Sequence, residues 1–248
     1  MSNPLPKFEG IPMVPEYLYR SFPQANFLGG AFGEAVHQRI VAQYGDNNSF
    51  VTQNIFYDKK LNVVRGSKPG YVVAVDEQIN HLGLRTATPR DLQDIIEMNT
   101  LALSRTYEDA ALVLRSVKDP NTYFAQSLAT QIQQRQEIIY PVMIPLNQLT
   151  LNEDKSSPYG LVFALKDQVT IIHNQILNQS GNFPQIDENG LPTEIGEGNR
   201  CLYTRDSGLS RFILDRILVL YADVERLAGS GDSGRVVVVK SAAGAREN

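Results

Sequence analysis

The most regular pattern of apolar positions lies near the end of the chain, between residues 206 and 240. Residues 209–228 contain neither glycine nor proline, and their apolar side chains recur every three or four positions, which is the spacing of an amphipathic helix. Many of them are β-branched or aromatic, which also suits two strands. The pattern favours one helix over two strands and predicts that this segment forms the centre of the core.

A glycine-rich stretch and four consecutive valines follow this segment. Residues 229–234 read GSGDSG, and residues 236–239 predict a short strand that is buried on both faces. A phosphate-binding loop requires a strand, then glycines, then a helix. Here the predicted helix precedes the glycines, so we interpret the stretch as a flexible connection to a terminal strand.

Shorter patterns predict the elements before residue 206. Residues 32–44 predict a helix, and further helices are expected to begin at Thr88, at Thr106 and at Asp119, where capping residues, prolines or acidic residues precede apolar positions. Extended, β-branched runs predict a meander of three strands at residues 50–57, 61–65 and 71–75, and later strands at residues 138–146, 159–165, 168–173 and 200–204. Pro141 predicts that residues 138–146 form an edge strand, and residues 159–173 are expected to form a hairpin. Residues 179–199 predict a long loop.

These elements predict an α+β protein. We expect a mixed or antiparallel sheet, made of the N-terminal meander and the C-terminal strands, packed against four to five helices. Residues 1–30 are rich in proline and aromatic side chains and predict an extended arm without regular helix, which packs on its own domain or on a neighbouring subunit. Residues 31–248 predict a single domain, with a candidate internal boundary in the polar residues 151–158.

Composition narrows the class of protein. The chain has 248 residues, of which 42% are hydrophobic and 20% are charged, as in folded globular proteins. The net charge of −4 includes no block of basic residues, so binding to nucleic acid is not supported. The sequence shows no secretory leader and no apolar run of membrane-spanning length. With a single cysteine, these features predict a soluble, cytoplasmic protein without an intrachain disulfide or a four-cysteine zinc site.

Candidate chemistry is sparse. Asp76 and Glu77 follow a predicted strand, where carboxylates can bind Mg²⁺ or act as a general base. Arg200, Arg205 and Arg235 are candidates for an anion-binding pocket, since guanidinium groups bind phosphates and carboxylates. The three histidines have no metal-binding spacing, and no cofactor is indicated.

Cys201 and His173 could form a reactive thiolate–imidazole pair. The alternative is that Cys201 is a small core residue.

The absence of a catalytic motif and the aromatic arm favour a binding or assembly module of a cytoplasmic or phage-like particle. Its expected contact is a protein partner, or a second copy of the chain, bound through residues 1–30. The alternative is an enzyme, with or without a metal, that acts on a phosphate-bearing or other anionic substrate. Asp76, Glu77 and Arg205 would then supply its acidic and basic groups.

Overall fold

A computed structural model describes residues 10–11, 13–20, 22–215 and 219–241. The α-helices within these residues are α1 (Tyr17–Arg20), α2 (Gly30–Tyr44), α3 (Pro69–Ile79), α4 (Pro89–Met98) and α5 (Thr122–Gln133). The strands are β1 (Ala25–Phe27), β2 (Phe56–Asp58), β3 (Val63–Arg65), β4 (Leu84–Thr86), β5 (Tyr107–Leu114), β6 (Val142–Pro145), β7 (Leu149–Glu153), β8 (Leu161–Leu165), β9 (Ile172–His173), β10 (Gly181–Phe183), β11 (Arg200–Thr204), β12 (Leu209–Asp215), β13 (Leu220–Ala222), β14 (Gly234–Arg235) and β15 (Val237–Lys240).

Within the part of the chain that the structure describes, the largest sheet is mixed and has eight strands. Seven of them follow in the order β10, β11, β13, β12, β5, β6 and β9, and β14 pairs with β5. β11 runs parallel to β13, and β14 runs parallel to β5, whereas the other neighbours are antiparallel. The strands β1, β15 and β4 form a second sheet, and β2–β3 and β7–β8 form two separate pairs. The predicted α+β class is therefore confirmed.

Two apolar layers cover opposite faces of the large sheet, because side chains alternate along a strand. On β5, Leu112 and Leu114 belong to the cluster that includes α3 and α5. Ala111 and Val113 belong to the cluster that includes Phe212 of β12. Within the described ranges, none of the helices combines the length and apolarity needed to cross a lipid bilayer.

The helix predicted over residues 209–228 is wrong, and the alternative of two strands is confirmed. Residues 209–215 form β12 and residues 220–222 form β13, while residues 216–218 lie outside the described residues. β12 pairs with β5 along its whole length and is buried on both faces. A strand covered on both faces needs apolar side chains at nearly every position, and such a run resembles a wide helical stripe.

Two further predictions are wrong because one predicted helix is a strand and one predicted strand is a helix. The helix predicted from Thr106 is the central strand β5, which lies between β12 and β6 and is almost wholly buried. The strand predicted over residues 71–75 lies in α3, which begins at Pro69 and buries ten of its eleven residues. A helix that is apolar on every side loses the periodicity that would identify it, and its β-branched valines then suggest a strand.

Other predicted elements are present with changed partners. β6 is not an edge strand, since it pairs with both β5 and β9, and Pro141 precedes it. β8 forms its hairpin with β7 rather than with the following strand. Residues 151–158 comprise the end of β7 and part of the turn into β8.

Several local patterns predict their elements correctly. α2 follows the expected stripe and ends before Gly45, and α4 begins with a capping box in which Thr88 and Asp91 bond reciprocally. The third expected helix begins at Thr122, three residues after Asp119. β11 and the buried valine strand β15 also lie where predicted.

The N-terminal segment packs on its own domain over much of its described length. Val14 and Phe22 are buried in the core, and the ring of Phe22 lies 5.3 Å from that of Phe32 in α2. β1 pairs with β15. α1 shows that a single helical turn does form between the prolines, contrary to the prediction. Residues 1–9, 12 and 21 of the predicted arm lie outside the described residues.

Candidate functional site

The two predicted catalytic carboxylates lie inside α3 rather than at a strand end. Asp76 is buried, accepts a 2.8 Å hydrogen bond from the backbone N–H of Thr86, and forms a 2.7 Å ion pair with Lys166. Burial raises the pKa of Asp76, while Lys166 and Thr86 oppose that rise. Glu77 accepts a hydrogen bond from the backbone N–H of Leu151. Successive helical residues point about 100° apart, so the two carboxylates serve different neighbours.

Two of the predicted anion-binding arginines lie at opposite ends of β11. Arg200 donates a 2.5 Å hydrogen bond to Gln93, and its guanidinium carbon lies 5.0 Å from the ring centre of Phe183. Arg205 forms a 2.8 Å ion pair with Glu225. Each guanidinium therefore already contacts a neighbouring side chain.

The third arginine, Arg235, lies in β14. It donates hydrogen bonds to the carbonyl oxygens of Asp232 and Gly234, at 2.9 and 2.6 Å. Among the described residues, these contacts do not bring the three arginines together, and the anion-binding pocket stays a prediction.

The predicted thiolate–imidazole pair is separated by the sheet topology. Cys201 lies on β11 and His173 on β9, and four strands lie between β11 and β9. The Nδ1 atom of His37 lies 2.9 Å from the hydroxyl of Tyr71, and burial lowers the pKa of this histidine to about 4. Among the residues that the structure describes, no three His, Cys, Asp or Glu side chains are grouped closely enough to hold a metal ion.

A buried ion pair joins β5 to β12. Arg211 makes two hydrogen bonds to the carboxylate of Asp109, from Nε at 2.5 Å and from Nη2 at 2.6 Å, and both side chains are at most 5% exposed. The remaining N–H groups of Arg211 donate to the carbonyl oxygens of Ser67, Arg226 and Gly229. All five donors of the guanidinium are therefore satisfied, as a stable buried charge pair requires.

The glycine-rich residues 229–234 fold over this ion pair. The hydroxyl oxygen of Tyr107 accepts a 2.7 Å hydrogen bond from the backbone N–H of Gly231 and lies 3.1 Å from the carbonyl oxygen of Ser67. A Cβ atom on Gly234 would lie 2.7 Å from the Tyr107 ring and even closer to the Ser67 backbone, so this position requires glycine. The stretch is a packed cover, which corrects its interpretation as a flexible connection.

Beside this cover, the face of the sheet contains a pocket of about 240 Å³. Tyr221 on β13 is opposite Ile213 on one side and opposite Tyr203 on the other, so the three side chains share this face. The rings of Tyr203 and Tyr221 are stacked with centroids 5.3 Å apart, and Tyr203 is 45% exposed. The pocket is lined by Tyr107, Arg211, Ile213, Asp215, Tyr221 and Val224.

The carboxyl of Glu108 lies on the other face of β5, among apolar side chains of α3, α4 and β15. It is buried, and neither of its oxygens has a hydrogen-bond partner among the described residues. The nearby hydroxyl of Thr106 donates instead to the carbonyl of Leu103 at 2.7 Å. Burial raises the pKa of Glu108 to about 8, so at neutral pH the folded protein holds this carboxyl largely protonated.

Lys68 is a second buried ionisable group near this centre. Its ammonium donates to the carbonyl oxygens of Ser49 and Gln53, each at 2.9 Å. Burial lowers the pKa of Lys68 to about 8, and the charge of Arg211 adds to this effect. The lysine connects residues 49–53 to the start of α3.

Comparison with known proteins gives no relative from which a function could be transferred. No family model, curated protein or solved structure matches the chain. The functional argument therefore depends on the geometry of the described residues.

The sequence interpretation did not group the residues of the buried ion pair. Asp109 lies in the helix predicted from Thr106 and Arg211 in the helix predicted over residues 209–228, so the patterns give no reason to pair them. A usable signal was nevertheless present, since each segment places charge within an otherwise apolar run, EDAALVLR and LSRFILD. Charges of opposite sign in two buried strands indicate a pair, because an isolated buried charge is very costly.

Proposed function

We propose that the protein is a binding or assembly module, active in the cytoplasm, that contacts a protein partner or a second copy of itself through its N-terminal segment. One observation carries the proposal. Val14 and Phe22 are buried and anchor the segment, whereas Met13 and Tyr17 are 57% and 72% exposed beside those anchors. Exposed apolar side chains on an anchored segment offer a ready contact surface, because burying them against another protein removes apolar area from water.

The alternative, an enzyme acting on an anionic substrate, has less support. Asp76, one of its proposed acidic groups, is buried and paired with Lys166, and Arg205, its proposed basic group, is paired with Glu225. A catalytic role would require both pairs to open before a substrate could bind. A binding role requires no such rearrangement.

The test is the mass of the protein in solution, measured by light scattering over a range of concentrations. We expect the full chain to associate, and the double variant Met13→Ser, Tyr17→Ser to lose most of that association. A matched control is Leu61→Ser, Met98→Ser, which removes two similarly exposed side chains elsewhere. Point changes are preferable to removing residues 1–28, because that deletion would also take Phe22 and Leu28 out of the core.

Two results would contradict the proposal. One is a monomeric mass at all concentrations together with no partner whose capture depends on Met13 and Tyr17. The other is equal loss of association in the double variant and in the control, which would indicate non-specific contact between apolar side chains.

A further inference from the structure

The buried carboxyl of Glu108 is closed off from water. The space beside it, whose lining includes Val72, Leu92 and Val237, has no room for a water molecule. Neither carboxyl oxygen has a hydrogen-bond partner among the described residues. A bare carboxylate in such a place is very costly, so Glu108 cannot lose its proton without gaining a cationic partner.

Arg235 is the cation placed beside Glu108. β14 runs parallel to β5, and Arg235 lies directly opposite Glu108 in this pairing. Paired residues of neighbouring strands project to the same face of a sheet, so the two side chains are neighbours. Burial raises the pKa of Glu108, and Arg235 opposes that rise. Burial and the charge of Arg65 lower the pKa of Arg235, and Glu108 opposes that fall.

Arg235 has hydrogen-bond donors to spare. Its Nη1 donates to the carbonyl oxygens of Asp232 and Gly234, at 2.9 and 2.6 Å. Within the described ranges, its guanidinium makes no other hydrogen bond and has no carboxylate within ion-pair distance. A guanidinium carries five N–H groups, so the hydrogens of Nε and Nη2 are available to a carboxylate.

The other charged groups near Glu108 offer no competing partner. Asp109 and Asp215 are acids, and their charges favour its protonated form. The charged side chains on the elements packed against this face have other neighbours or lie at an end: Lys68 with Ser49 and Gln53, Asp76 with Lys166, Glu77 with Leu151, Arg85 with Asp91, Arg90 with Asp94 and Glu97, and Lys240 at the end of β15. Among the described residues, Arg235 is therefore the partner for an ionised Glu108.

We propose that Glu108 and Arg235 form a pH-sensitive switch that holds or releases the glycine-rich cover, residues 229–234. While Glu108 is protonated, Arg235 holds the cover through the carbonyl oxygens of Asp232 and Gly234. When Glu108 gives its proton to solvent, its carboxylate draws the guanidinium away, and both of those hydrogen bonds are lost. One charge change then selects between two arrangements of the same arginine.

The switch operates in a definite pH range and independently of the N-terminal segment. Burial raises the pKa of Glu108 to about 8. The cover is therefore expected to be held below about pH 7 and released above about pH 9, since a single group titrates within about one pH unit of its pKa. A protein that fails to self-associate can still switch, so this inference and the proposed function fail separately.

The direct test is carbon-detected NMR of the full chain between about pH 6 and about pH 9.5, which follows carboxyl and carbonyl carbons without amide protons. We expect the carboxyl carbon of Glu108 and the carbonyl carbons of Asp232 and Gly234 to titrate at the same pH, because one proton controls all three. The internal control is the carbonyl carbon of Leu165, which accepts a 3.1 Å hydrogen bond from Arg135 and should stay unchanged.

Two variants identify the groups involved. Glu108→Gln is permanently neutral, so the carbonyl carbons of the cover should no longer change with pH. The exposed control Glu188→Gln should titrate as the wild type does. Arg235→Gln removes the cation, and Glu108 should then lose its proton at a pH at least about 0.5 higher, which is a roughly three-fold weaker acid. Thermal melting of each variant shows whether it remains folded.

A double-mutant cycle of Glu108→Gln with Arg235→Gln isolates the pairing itself. We expect the two changes to be coupled by less than about two-fold in the unfolding equilibrium constant at about pH 6, and by at least about five-fold at about pH 9.5. The control cycle combines Arg90→Gln with Asp94→Asn at an ion pair that is about one third exposed. Its coupling should be equal at both pH values, because an ordinary aspartate is ionised at both.

Any of three results overturns the proposal. In the first, the carbonyl carbons of Asp232 and Gly234 stay unchanged while Glu108 titrates. In the second, they still titrate in folded Glu108→Gln protein, which would assign the change to another group such as Lys68. In the third, the coupling between Glu108 and Arg235 is the same at both pH values. The first result needs no variant and therefore stands even where a substitution prevents folding.

Discussion

Glu108 and Asp109 are adjacent acidic residues on β5, yet they lie on opposite faces of the strand and have very different hydrogen-bond partners. Asp109 receives two hydrogen bonds from Arg211 beneath a polar cover. Most of the side chains around Glu108 are apolar, and neither of its carboxyl oxygens has a hydrogen-bond partner among the described residues. Since both carboxyls are buried, the protonation of Glu108 follows from the lack of a partner rather than from burial alone.

The two faces of the sheet are stabilised by different interactions. The face that carries Asp109 is fixed by directional hydrogen bonds and borders the pocket. The face that carries Glu108 is held by apolar packing and tolerates a neutral acid. Changes that alter one face only can therefore measure what each contributes.

The largest effect is expected from Arg211→Leu. This change leaves Asp109 buried without its partner and removes the donors to three backbone carbonyl oxygens, and we expect the free energy of unfolding to fall by about 3–5 kcal/mol. Urea denaturation measures this loss.

The control for this change is Arg90→Leu. Arg90 forms a 2.5 Å ion pair with Asp94 in which both side chains are about one third exposed. We expect that variant to lose less than about 0.5 kcal/mol. A loss below about 1 kcal/mol in Arg211→Leu would mean that the buried pair does not fix this face.

The next effect is expected from Glu108→Met, which places an unbranched apolar side chain among apolar neighbours. We expect the variant to be more stable than the wild type by about 3 kcal/mol at pH 7, because no carboxyl then has to remain protonated. Thermal and urea denaturation at several pH values measure the difference.

The pH dependence of this stability difference tests whether Glu108 is protonated in the folded state. The pKa of Glu108 is raised to about 8 from 4.5, so the folded state keeps a proton that the unfolded state has released over that interval. The stability of the wild type relative to the variant should therefore fall as pH rises from about 4.5 to about 8, by up to about 1.4 kcal/mol per pH unit, and level off above it. The exposed control Glu188→Met should follow the wild type. A difference between wild type and Glu108→Met that does not change with pH would contradict the assignment of a neutral Glu108.

The smallest effect is expected from Tyr107→Phe. The change removes the hydroxyl that connects β5 to Ser67 and Gly231, at a cost of about 1 kcal/mol. The amide of Gly231 should exchange with solvent faster, which hydrogen exchange detects. The exposed Tyr17→Phe is the control and should leave this amide unchanged. Unchanged exchange in Tyr107→Phe would mean that the glycine-rich cover is held by other contacts.

Local signals in the sequence predicted local structure well. Thr88 with Asp91 marked the start of α4, and the valine run marked β15, because caps and strand-forming residues act within a few positions. The predictions for residues 71–75 and 209–215 are wrong because both segments are buried on all sides. Their apolar residues therefore do not mark a single buried face, and the spacing cannot distinguish a helix from a strand.

The candidate site was harder to predict than the elements. The ion pair joins residues that are 102 positions apart, and neither residue has a local motif. Asp76 and Arg205 are charges near the ends of predicted elements, yet in the structure Asp76 is paired with Lys166 and Arg205 with Glu225. A pairing of this kind follows from the order of strands in the sheet, which short-range patterns do not contain.

The separation between Asp109 and Arg211 has a consequence during synthesis on the ribosome. At about 5–20 residues per second, roughly 5–20 s pass between the addition of the aspartate and that of its arginine. Throughout that interval β5 lacks its neighbour β12, and the acid lacks its counter-charge. Until the last third of the protein emerges, the unpaired hydrophobic edge of β5 must therefore be prevented from pairing with other chains.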